Sequence, residues 1–277
     1  MATYDRLKAG DWRGQRARYK QVKYDGHRFT VTMSDGGRIV GYEREVRPDL
    51  EMTVRHPEIV ELAWWKKLLA LPLGSSICGE LYVPGGNAGD ATHAIADCSP
   101  ELAFMPFAVP FWSGMDWRHA DLPTARARVV GMGLPFAEFF PLARGVTREE
   151  LCDDAIERRI EGWVLKNFNY DDWWKVKPIK TLDAVVAGFT SGKGQYVGQI
   201  GALIVSAWVS GEYVELANIS GMDDETRRRI DDPLDFGRVC EVEYQYLGNR
   251  GRLVHPRFVR WRSDKPASQC TYDREEI

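Results

Sequence analysis

Polar and apolar residues alternate along much of this 277-residue chain, which is the pattern of β-strands. The first clear alternation, over residues 17–24, predicts a strand in which Gln21 and Lys23 share one face. Asp25-Gly26 ends this strand, because glycine accepts backbone angles that other residues avoid. The pattern therefore predicts a lysine at a strand end, followed directly by a tight turn and Arg28. A surface lysine beside an ordinary turn is the alternative that these residues alone leave open.

Segments up to residue 180 mix helical and strand patterns. An apolar face at helical spacing predicts a helix after Pro57, and Thr147 with Glu150 forms a capping box that opens another. Helices are predicted over 57–71, 123–131 and 147–160, strands over 76–83, 102–111, 161–166 and 173–178, a hairpin turn at 34–37, and a loop without assigned structure over 86–100.

The pattern changes after residue 180. Short strands separated by glycine-rich turns are typical of a small β-barrel. They are predicted over 183–189, 200–209, 213–217 and 239–246, with one short helix over 224–230. We therefore place a domain boundary here, which gives one domain over 1–180 and a second over 181–277.

Composition indicates a globular protein, because 44% of the residues are hydrophobic and 28% are charged. The five cysteines are odd in number and far apart, which favours free thiols in a reducing compartment over disulfides or a zinc site. Residues 1–20 lack the apolar core of a signal peptide, and no apolar run is long enough to span a membrane. We expect a cytoplasmic protein without a membrane segment.

The formal net charge of −3 means that any affinity for nucleic acid must come from local patches. One such patch lies near the C-terminus, where six cations accompany a single acid, Asp264. The cations are Arg250, Arg252, Arg257, Arg260, Arg262 and Lys265. Residues of one sign at this density need anionic partners, and a solvated basic strand is the alternative.

Charged residues also interrupt apolar strands. Glu80 lies within an apolar run, where a buried carboxylate is costly without a cation, a metal ion or a polar ligand. Glu161 stands at the start of another strand. Lys175 and Lys177 share one face of a third, and because two lysines repel each other, we expect them to share an anion. Outward-facing positions at strand edges are the alternative for Glu80 and for both lysines.

Four motifs occur in order in the first domain: Lys-x-Asp-Gly-x-Arg at 23–28, Cys-Gly-Glu-Leu at 78–81, Glu-Gly-x-Val-Leu-Lys at 161–166 and Lys-Val-Lys-Pro at 175–178. A fifth, Arg-Ser-Asp-Lys, occupies 262–265. Together they resemble the motifs of the covalent nucleotidyltransferase superfamily, which contains ATP-dependent DNA ligases, RNA ligases and mRNA capping enzymes. The resemblance covers nearly the whole chain and is strongest toward minimal two-domain DNA ligases of bacteriophages and bacteria, through residues 173–178 and 251–262.

The resemblance implies a fold and a set of partners. The fold is α+β: a nucleotidyltransferase domain with ATP-grasp-like antiparallel sheets and helices, followed by a C-terminal OB-fold β-barrel. The partners are ATP as the AMP donor, Mg²⁺ or Mn²⁺, and nicked duplex DNA bound by a monomeric ligase. Such an enzyme would act in DNA replication, repair and recombination, in the cytoplasm of a bacterial cell or a phage-infected host.

Carried over to matching positions, the resemblance assigns roles to single residues. Lys23 would be the nucleophile that takes AMP. Lys175 and Lys177 would hold the α-phosphate, and Phe107 would stack on adenine. Glu80 and Glu161 would serve the ribose and the metal ion. The other nucleotide-binding positions are Gln21, Val22, Tyr24, Arg28 and Arg44, and the two arginines would contact the nucleotide sugar and phosphates or the DNA 5′-phosphate. Arg262, Asp264 and Lys265 would orient the pyrophosphate. The DNA-binding positions are Arg250, Arg252, Arg257 and Arg260.

One position departs from the family pattern, because many DNA ligases carry a glutamate where this chain has Gln21. The Gln21 carbonyl can still accept a hydrogen bond from the adenine amino group. A lysine attacks only as the neutral amine, and its pKa in water is about 10.4. We expect Lys175, Lys177 and a bound Mg²⁺ to lower the pKa of Lys23.

Three other interpretations stay open: an RNA ligase, a capping guanylyltransferase, and a non-catalytic nucleic-acid-binding barrel protein with a degenerate nucleotide pocket. The Arg-x-Asp-Lys motif does not separate capping enzymes from ligases, because both carry it. The Trp-Trp-Lys-Val-Lys-Pro and His-Pro-Arg-Phe runs favour a DNA ligase. Contacts that close around DNA are predicted from loops at 86–100 and 191–199.

Overall fold

The computed structural model describes residues 5–6, 17–43, 46, 48–167, 173–229, 236–248 and 251–275. The chain divides into two compact units, Met1–Pro178 and Ile179–Ile277. Two of the predicted site residues, Arg44 and Arg250, lie outside the described residues.

The first unit combines short helices with two sheets. Its strands are β1 Asp5–Arg6, β2 Tyr19–Val22, β3 His27–Met33, β4 Ile39–Glu43, β5 Ser75–Tyr82, β6 Ala103–Trp112, β7 Met115–Asp116, β8 Phe139–Pro141, β9 Trp163–Lys166 and β10 Trp173–Val176. Its helices are α1 Met52–Arg55, α2 Ala63–Leu68, α3 Ala88–Ala96, α4 Leu122–Gly131 and α5 Arg148–Glu157, with 3₁₀ turns at Pro48–Leu50 and Pro57–Glu61.

These strands form two five-stranded sheets. The first sheet has the order β1-β10-β9-β2-β8 and the second the order β4-β3-β5-β6-β7. Because strand side chains alternate, each sheet has one face toward the other sheet and one face toward helices. Val164 and Trp173 of the first sheet pack against Cys78 and Ala108 of the second, whereas Trp163 and its neighbours pack on α5. The result is a stack of helix, sheet, sheet and helices.

The prediction of one continuous helix over 57–71 is wrong. Leu62 has an extended backbone (φ −64°, ψ 144°), and it separates the 3₁₀ turn from α2. This break lets Trp64 and Trp65 both reach the fully buried Phe29, with ring centroids 6.0 and 6.4 Å away. Aromatic packing on the second sheet thus overrides the local helical pattern.

The segment over 86–100 is not simply a loop, because it contains α3. Asn87 caps this helix by accepting from the backbone N–H groups of Gly89 and Asp90, and the Asp90 carboxylate accepts from the Asn87 N–H. Ala91 and Ile95 bury the helix against the core. Asn87 and Asp90, three residues apart before apolar positions at helical spacing, were the signal in the sequence.

The second unit is mainly β. Its elements are β11 Lys180–Ser191, β12 Ile200–Val209, β13 Glu212–Ile219, α6 Asp224–Arg229, β14 Val239–Tyr244, β15 Arg257–Trp261 and β16 Thr271–Tyr272, with 3₁₀ turns at Gly194–Tyr196 and Ala267–Gln269. The strands follow the order β13-β12-β11-β14-β15, and β16 pairs with β12. A parallel bridge between Ser220 and Arg257 joins the two outer strands of this order, so the sheet curls around its own core.

No helix among the described residues combines the length and the apolar composition needed to cross a bilayer.

The cap of α3 gives a prediction about stability. Replacing Asn87 with Ala leaves the Gly89 and Asp90 N–H groups without their acceptor, so the free energy of unfolding should fall by about 1 kcal/mol. Urea unfolding of the Asn87→Ala and Asn87→Asp variants measures this, and Asn87→Asp should retain wild-type stability. Equal stability of Asn87→Ala and the wild type would contradict the capping role.

Candidate active site

Lys23 lies directly after β2, at the position that the alternation predicted. Its backbone N–H donates to the Gly162 carbonyl (3.0 Å), which ties the end of β2 to the start of β9. Its side chain is 14% exposed and forms an ion pair with Glu161. The Lys23 ammonium also donates to the Tyr24 carbonyl at 3.3 Å. The amine is therefore held at a strand end by a buried carboxylate.

Glu161 is shared by two lysines. One carboxylate oxygen pairs with Lys23 and the other with Lys177, and the Glu161 side chain is only 3% exposed. A buried carboxylate is stable only when it is paired and hydrogen-bonded, and two ammonium groups meet that demand here. Glu161 precedes β9 rather than lying in it, contrary to the predicted strand over 161–166. Lys23 and Lys177 are thereby brought to one carboxylate.

Two glycines permit the close backbone packing at this site. A Cβ on Gly26 would lie 2.1 Å from the Leu81 carbonyl oxygen, so the turn after Lys23 has no room for a side chain. Gly162 has φ +151°, and a Cβ there would lie 2.3 Å from the Val176 carbonyl oxygen. Both glycines belong to motifs found in the sequence, and both are required because the backbone of a neighbouring strand lies against them.

Glu80 lies on β5, opposite Arg28 of β3. Burial raises the pKa of Glu80 to about 7, although the nearby Lys23 lowers it, and Glu161 raises it further. The carboxylate therefore belongs to the same charged cluster rather than to an outward-facing strand edge. Glu80 and Glu161 repel each other, and the lysines between them offset this repulsion.

Lys175 and Lys177 by themselves do not give the expected lowering of the Lys23 pKa, and the effect of a bound Mg²⁺ stays a prediction. Burial lowers the pKa of Lys23, but the carboxylates of Glu161 and Glu80 outweigh it, so the pKa is raised overall. Lys175 behaves in the opposite way: burial, together with repulsion from Lys23 and Lys177, lowers its pKa to about 8. The sequence argument about this pKa counted the lysines and omitted the two carboxylates, whose charges raise the pKa of Lys23.

Phe107 lies in a small apolar cluster between the two sheets. Phe107 packs edge-to-face on Trp173, with centroids 6.0 Å apart, beside the buried Val164. Gln21 is buried, and its amide nitrogen donates to the Ala137 carbonyl at 3.1 Å, which directs the amide oxygen elsewhere. The side chains of two other predicted nucleotide-binding residues pack elsewhere. Val22 packs toward α5, and Tyr24 packs edge-to-face on Tyr82, with ring centroids 4.8 Å apart.

Lys166 is a site residue to which the sequence analysis gave no role. It ends the Glu-Gly-x-Val-Leu-Lys motif, yet it is only 1% exposed. Its ammonium donates to the Phe107 carbonyl (2.8 Å) and lies 3.5 Å from the centre of the Trp173 ring. Burial lowers the pKa of Lys166 well below its usual value. The motif marked this lysine, but alternation did not predict its burial.

The charge of Lys166 makes stability depend on pH. The folded protein has a lower Lys166 pKa than the unfolded chain, so the unfolded state binds more protons and stability should rise as the pH approaches the usual lysine pKa of about 10.4. Urea unfolding at several pH values should show a flatter slope for Lys166→Met, and an unchanged slope for the exposed control Lys66→Met. A Lys166→Met slope identical to that of the wild type would show that this lysine is charged when folded.

Arg262 and Lys265 of the second unit lie on a carboxylate that the sequence analysis did not single out. The Asp183 oxygens accept from the Arg262 guanidinium (2.9 Å to both) and from the Lys265 ammonium (2.9 Å). Asp264 also binds Arg262, and this hydrogen bond lowers the pKa of Asp264 to about 2. The sequence indicated Asp183 only weakly, because it is a single acid in a predicted strand. Its partners Arg262 and Lys265 lie about eighty residues away in the chain.

The basic patch carries its own anionic partners. The three described DNA-binding candidates form ion pairs with carboxylates on adjacent strands, and their side chains are 45–62% exposed. The pairs are Arg252 with Glu215 (2.7 Å), Arg257 with Glu243 (3.8 Å) and Arg260 with Glu241 (2.6 Å). Exposed pairs of this kind contribute little to stability, so these arginines can exchange their carboxylates for another anion at low cost.

Within the described residues, no group of three or more His, Cys, Asp or Glu is arranged to hold a metal ion. Glu80 and Glu161 are the two predicted donors near Lys23, and the Asp25 carboxylate also acts on both Lys23 and Glu80. Mg²⁺ is commonly held by one or two carboxylates together with substrate phosphates and water. The donor set therefore fits Mg²⁺ bound with a phosphate substrate, and it does not fit a zinc centre.

Comparison with known proteins finds similarity to DNA ligases. Residues 191–262 match the family model of the DNA ligase OB-like domain. The DNA ligase of Variola virus is 25% identical over 250 aligned residues, which cover 80% of this chain and 44% of that protein. A probable DNA ligase of Mycobacterium sp. (strain KMS) is 26% identical over 319 residues, and the match covers 91% of this chain and 58% of that protein. The chain thus spans about half the length of these curated relatives.

Solved structures resemble the whole chain. A structure from an analysis of Lig E DNA ligases, described as binding DNA with a minimal scaffold, superposes with a TM-score of 0.63 at 17% identity, covering 95% of this chain and all of that one. The predicted fold class, a mixed α and β unit followed by an OB-like unit, is confirmed by these matches. The resemblance to DNA ligases that the motifs predicted is likewise confirmed, because the chain is similar to DNA ligases of a virus and of a mycobacterium.

Proposed function

We propose that this protein is an ATP-dependent DNA ligase that seals nicks with a 5′-phosphate and a 3′-hydroxyl through a Lys23–AMP intermediate. The observation that carries the proposal is the position of Lys23: an amine at a strand end, bound to the buried carboxylate that also holds Lys177. A reactive amine, a proton acceptor and a phosphate-binding cation thereby meet within one cluster. The similarity to viral and mycobacterial ligases supports the choice of DNA as substrate.

In the first step the Lys23 amine attacks the α-phosphorus of ATP. An N–P bond forms, the bond to the bridging oxygen breaks, and its electron pair leaves on pyrophosphate. Lys23 must lose a proton first, because only the neutral amine is nucleophilic. Glu161 already accepts a hydrogen bond from that amine, so it is the acceptor to which this proton passes before it reaches solvent.

The neighbouring lysines hold the phosphate that is attacked. Lys23 and Lys177 pair with different oxygens of Glu161. Lys175 lies close enough to both lysines to be repelled by them. At neutral pH a group with a pKa of about 8 is still mainly protonated, so Lys175 retains its charge for the α-phosphate. Arg28 and Arg44 are the further candidates for the sugar and the phosphates. Fixed cations of this kind act by positioning and charge stabilisation.

Gln21 and Phe107 are the proposed base contacts. The amide nitrogen of Gln21 is occupied by the Ala137 carbonyl, which leaves its oxygen as the acceptor for the adenine amino group. Phe107 would stack on the base, and its backbone is fixed by Lys166. Val22 and Tyr24 would contribute through their backbone beside Lys23.

Glu80 and Glu161 are the proposed ligands of Mg²⁺ or Mn²⁺. When bound, such an ion would neutralise charge on the phosphate under attack. Glu161 would then exchange its lysine partners in part for the metal ion, which favours loss of the Lys23 proton.

The later steps transfer and release AMP. An oxygen of the DNA 5′-phosphate attacks the phosphorus of AMP, the N–P bond breaks, and Lys23 regains its amine with a proton. The 3′-hydroxyl then loses a proton and attacks the 5′-phosphate, so a phosphodiester forms and AMP leaves with the electron pair. Such sealing would serve DNA replication, repair and recombination by a monomeric cytoplasmic enzyme.

The basic face of the second unit is the proposed contact with DNA. Arg252, Arg257 and Arg260 would exchange exposed carboxylate partners for DNA phosphates, and Arg250 would join them. Each such exchange replaces a weak surface ion pair with a phosphate contact that also releases a counterion. Residues 86–100 and 191–199 remain candidates for closing around the duplex.

A nick-sealing assay tests the proposed function. A 5′-phosphorylated nicked DNA duplex with Mg²⁺ should be sealed with ATP and not with NAD. Lys23→Gln should abolish sealing because it removes the nucleophile, whereas Lys20→Gln, on the opposite face of β2 and paired with Asp154, should seal normally. Sealing only of a nick with RNA strands would favour an RNA ligase, and transfer from GTP alone would favour a capping enzyme.

The DNA contact is tested by the salt dependence of nick binding. Each phosphate contact contributes about 0.9 to the slope of log affinity against log salt, so Arg257→Gln with Arg260→Gln should lower that slope by about 2. Fluorescence anisotropy with a labelled nicked duplex measures it, and Arg118→Gln, paired with Asp116 on the first unit, is the control. A slope equal to that of the wild type would remove both arginines from the DNA contact.

A further inference from the structure

A single buried carboxylate holds both basic side chains of the Arg-Ser-Asp-Lys motif. Asp183 is 8% exposed, and its two oxygens receive the Arg262 guanidinium and the Lys265 ammonium at 2.9 Å. This hydrogen bond raises the pKa of Lys265, so the lysine stays charged. Two cations this close to each other would repel without the carboxylate between them.

Asp183 is itself rigidly placed. It lies on β11, which is hydrogen-bonded on both sides, by β12 and by β14. The Tyr272 hydroxyl bonds to the backbone of Asp183 twice: it accepts from the Asp183 N–H (2.8 Å) and donates to the Asp183 carbonyl (2.7 Å). The carboxylate therefore cannot follow a moving side chain, and Arg262 and Lys265 must come to it.

The two carboxylates on Arg262 differ in burial. Asp183 takes the Nη1 atom of the guanidinium, whereas Asp264 takes Nε and Nη2. The Asp264 side chain is 64% exposed and lies in a turn, and the Asp183 side chain is 11% exposed. An incoming phosphate would displace the exposed carboxylate from Nε and Nη2 and leave the buried one in place. The Nη1 atom of Arg262 would thus keep its bond to Asp183, whereas Nε and Nη2 would be available to a phosphate.

We propose that Asp183 is a positioning residue that holds Arg262 and Lys265 as a pair for the pyrophosphate portion of ATP. The inference rests on the proposed function, because it takes Arg262 and Lys265 as pyrophosphate contacts. It adds a residue outside the five sequence motifs. Pre-ordering two long side chains on a rigid carboxylate removes the entropic cost of fixing them when the phosphate binds.

The role predicts which reaction steps depend on Asp183. In the first step the Lys23 N–P bond forms and the α-phosphorus–oxygen bond breaks, with the electron pair leaving on pyrophosphate. Arg262 and Lys265 stabilise that charge in the forward reaction and bind pyrophosphate in the reverse reaction. Pyrophosphate takes no part once AMP is on the DNA, so the sealing step does not require this pair.

The test compares Asp183→Asn with Glu212→Gln, the same loss of charge at an exposed carboxylate at the start of β13. AMP-free protein is given ATP, adenylated protein is given pyrophosphate, and both are given a nick that already carries AMP on its 5′-phosphate. Asp183→Asn should slow AMP transfer to Lys23 and its reversal about 10-fold or more, while sealing of the adenylated nick stays within about 2-fold of the wild type. Glu212→Gln should match the wild type in all three.

A merely structural role would lower all three rates together, because the sealing step uses the same folded protein. Equal loss in all three, or no loss in the first two, overturns the inference. Should Asp183→Asn fail to fold, Tyr272→Phe decides, since it loosens the Asp183 backbone and should give the same pattern with a smaller effect. Normal AMP transfer by Arg262→Ala would overturn the pyrophosphate role, whereas a wild-type protein that forms no AMP adduct would overturn the proposed function.

Discussion

The ion pairs of Glu161 with Lys23 and Lys177 are the interaction on which the candidate site depends. One buried carboxylate fixes two ammonium groups, and a carboxylate at this depth is stable only with such partners. The arrangement also requires the glycine that follows, because the Gly162 backbone lies against Val176 and accepts from the Lys23 N–H. Strand pairing between β2, β9 and β10 brings these groups together from distant parts of the chain.

The same pairs set the charge of the reactive amine. In the protein without substrate the carboxylates keep Lys23 protonated, and the pKa that falls is that of Lys175. The site therefore holds an unreactive ammonium until something competes with Lys23 for Glu161. In the proposed mechanism the competitor would be the metal ion that accompanies the nucleotide, since it would bring cationic charge to the carboxylates. This order of events would couple activation of the nucleophile to occupancy of the site.

The sequence predicted most of the residues that meet, because each lies in a short motif at the end of a strand. Alternation placed Lys23 at a strand end and put Lys175 and Lys177 on one face. It did not reveal Asp183 or the burial of Lys166, since both depend on partners far away in the chain. The break at Leu62 also escaped prediction, because aromatic packing on Phe29 outweighs a helical pattern. Local pattern thus predicted the candidates, and tertiary packing decided their charge states.

The most direct test of the account is to locate AMP on the protein after incubation with ATP and Mg²⁺. Intact-mass measurement followed by peptide mapping, under conditions that preserve a phosphoramidate, identifies the modified residue. The account predicts one AMP per chain, attached to Lys23, with release of one pyrophosphate. AMP on a different residue, or no covalent AMP in a folded protein, would contradict it.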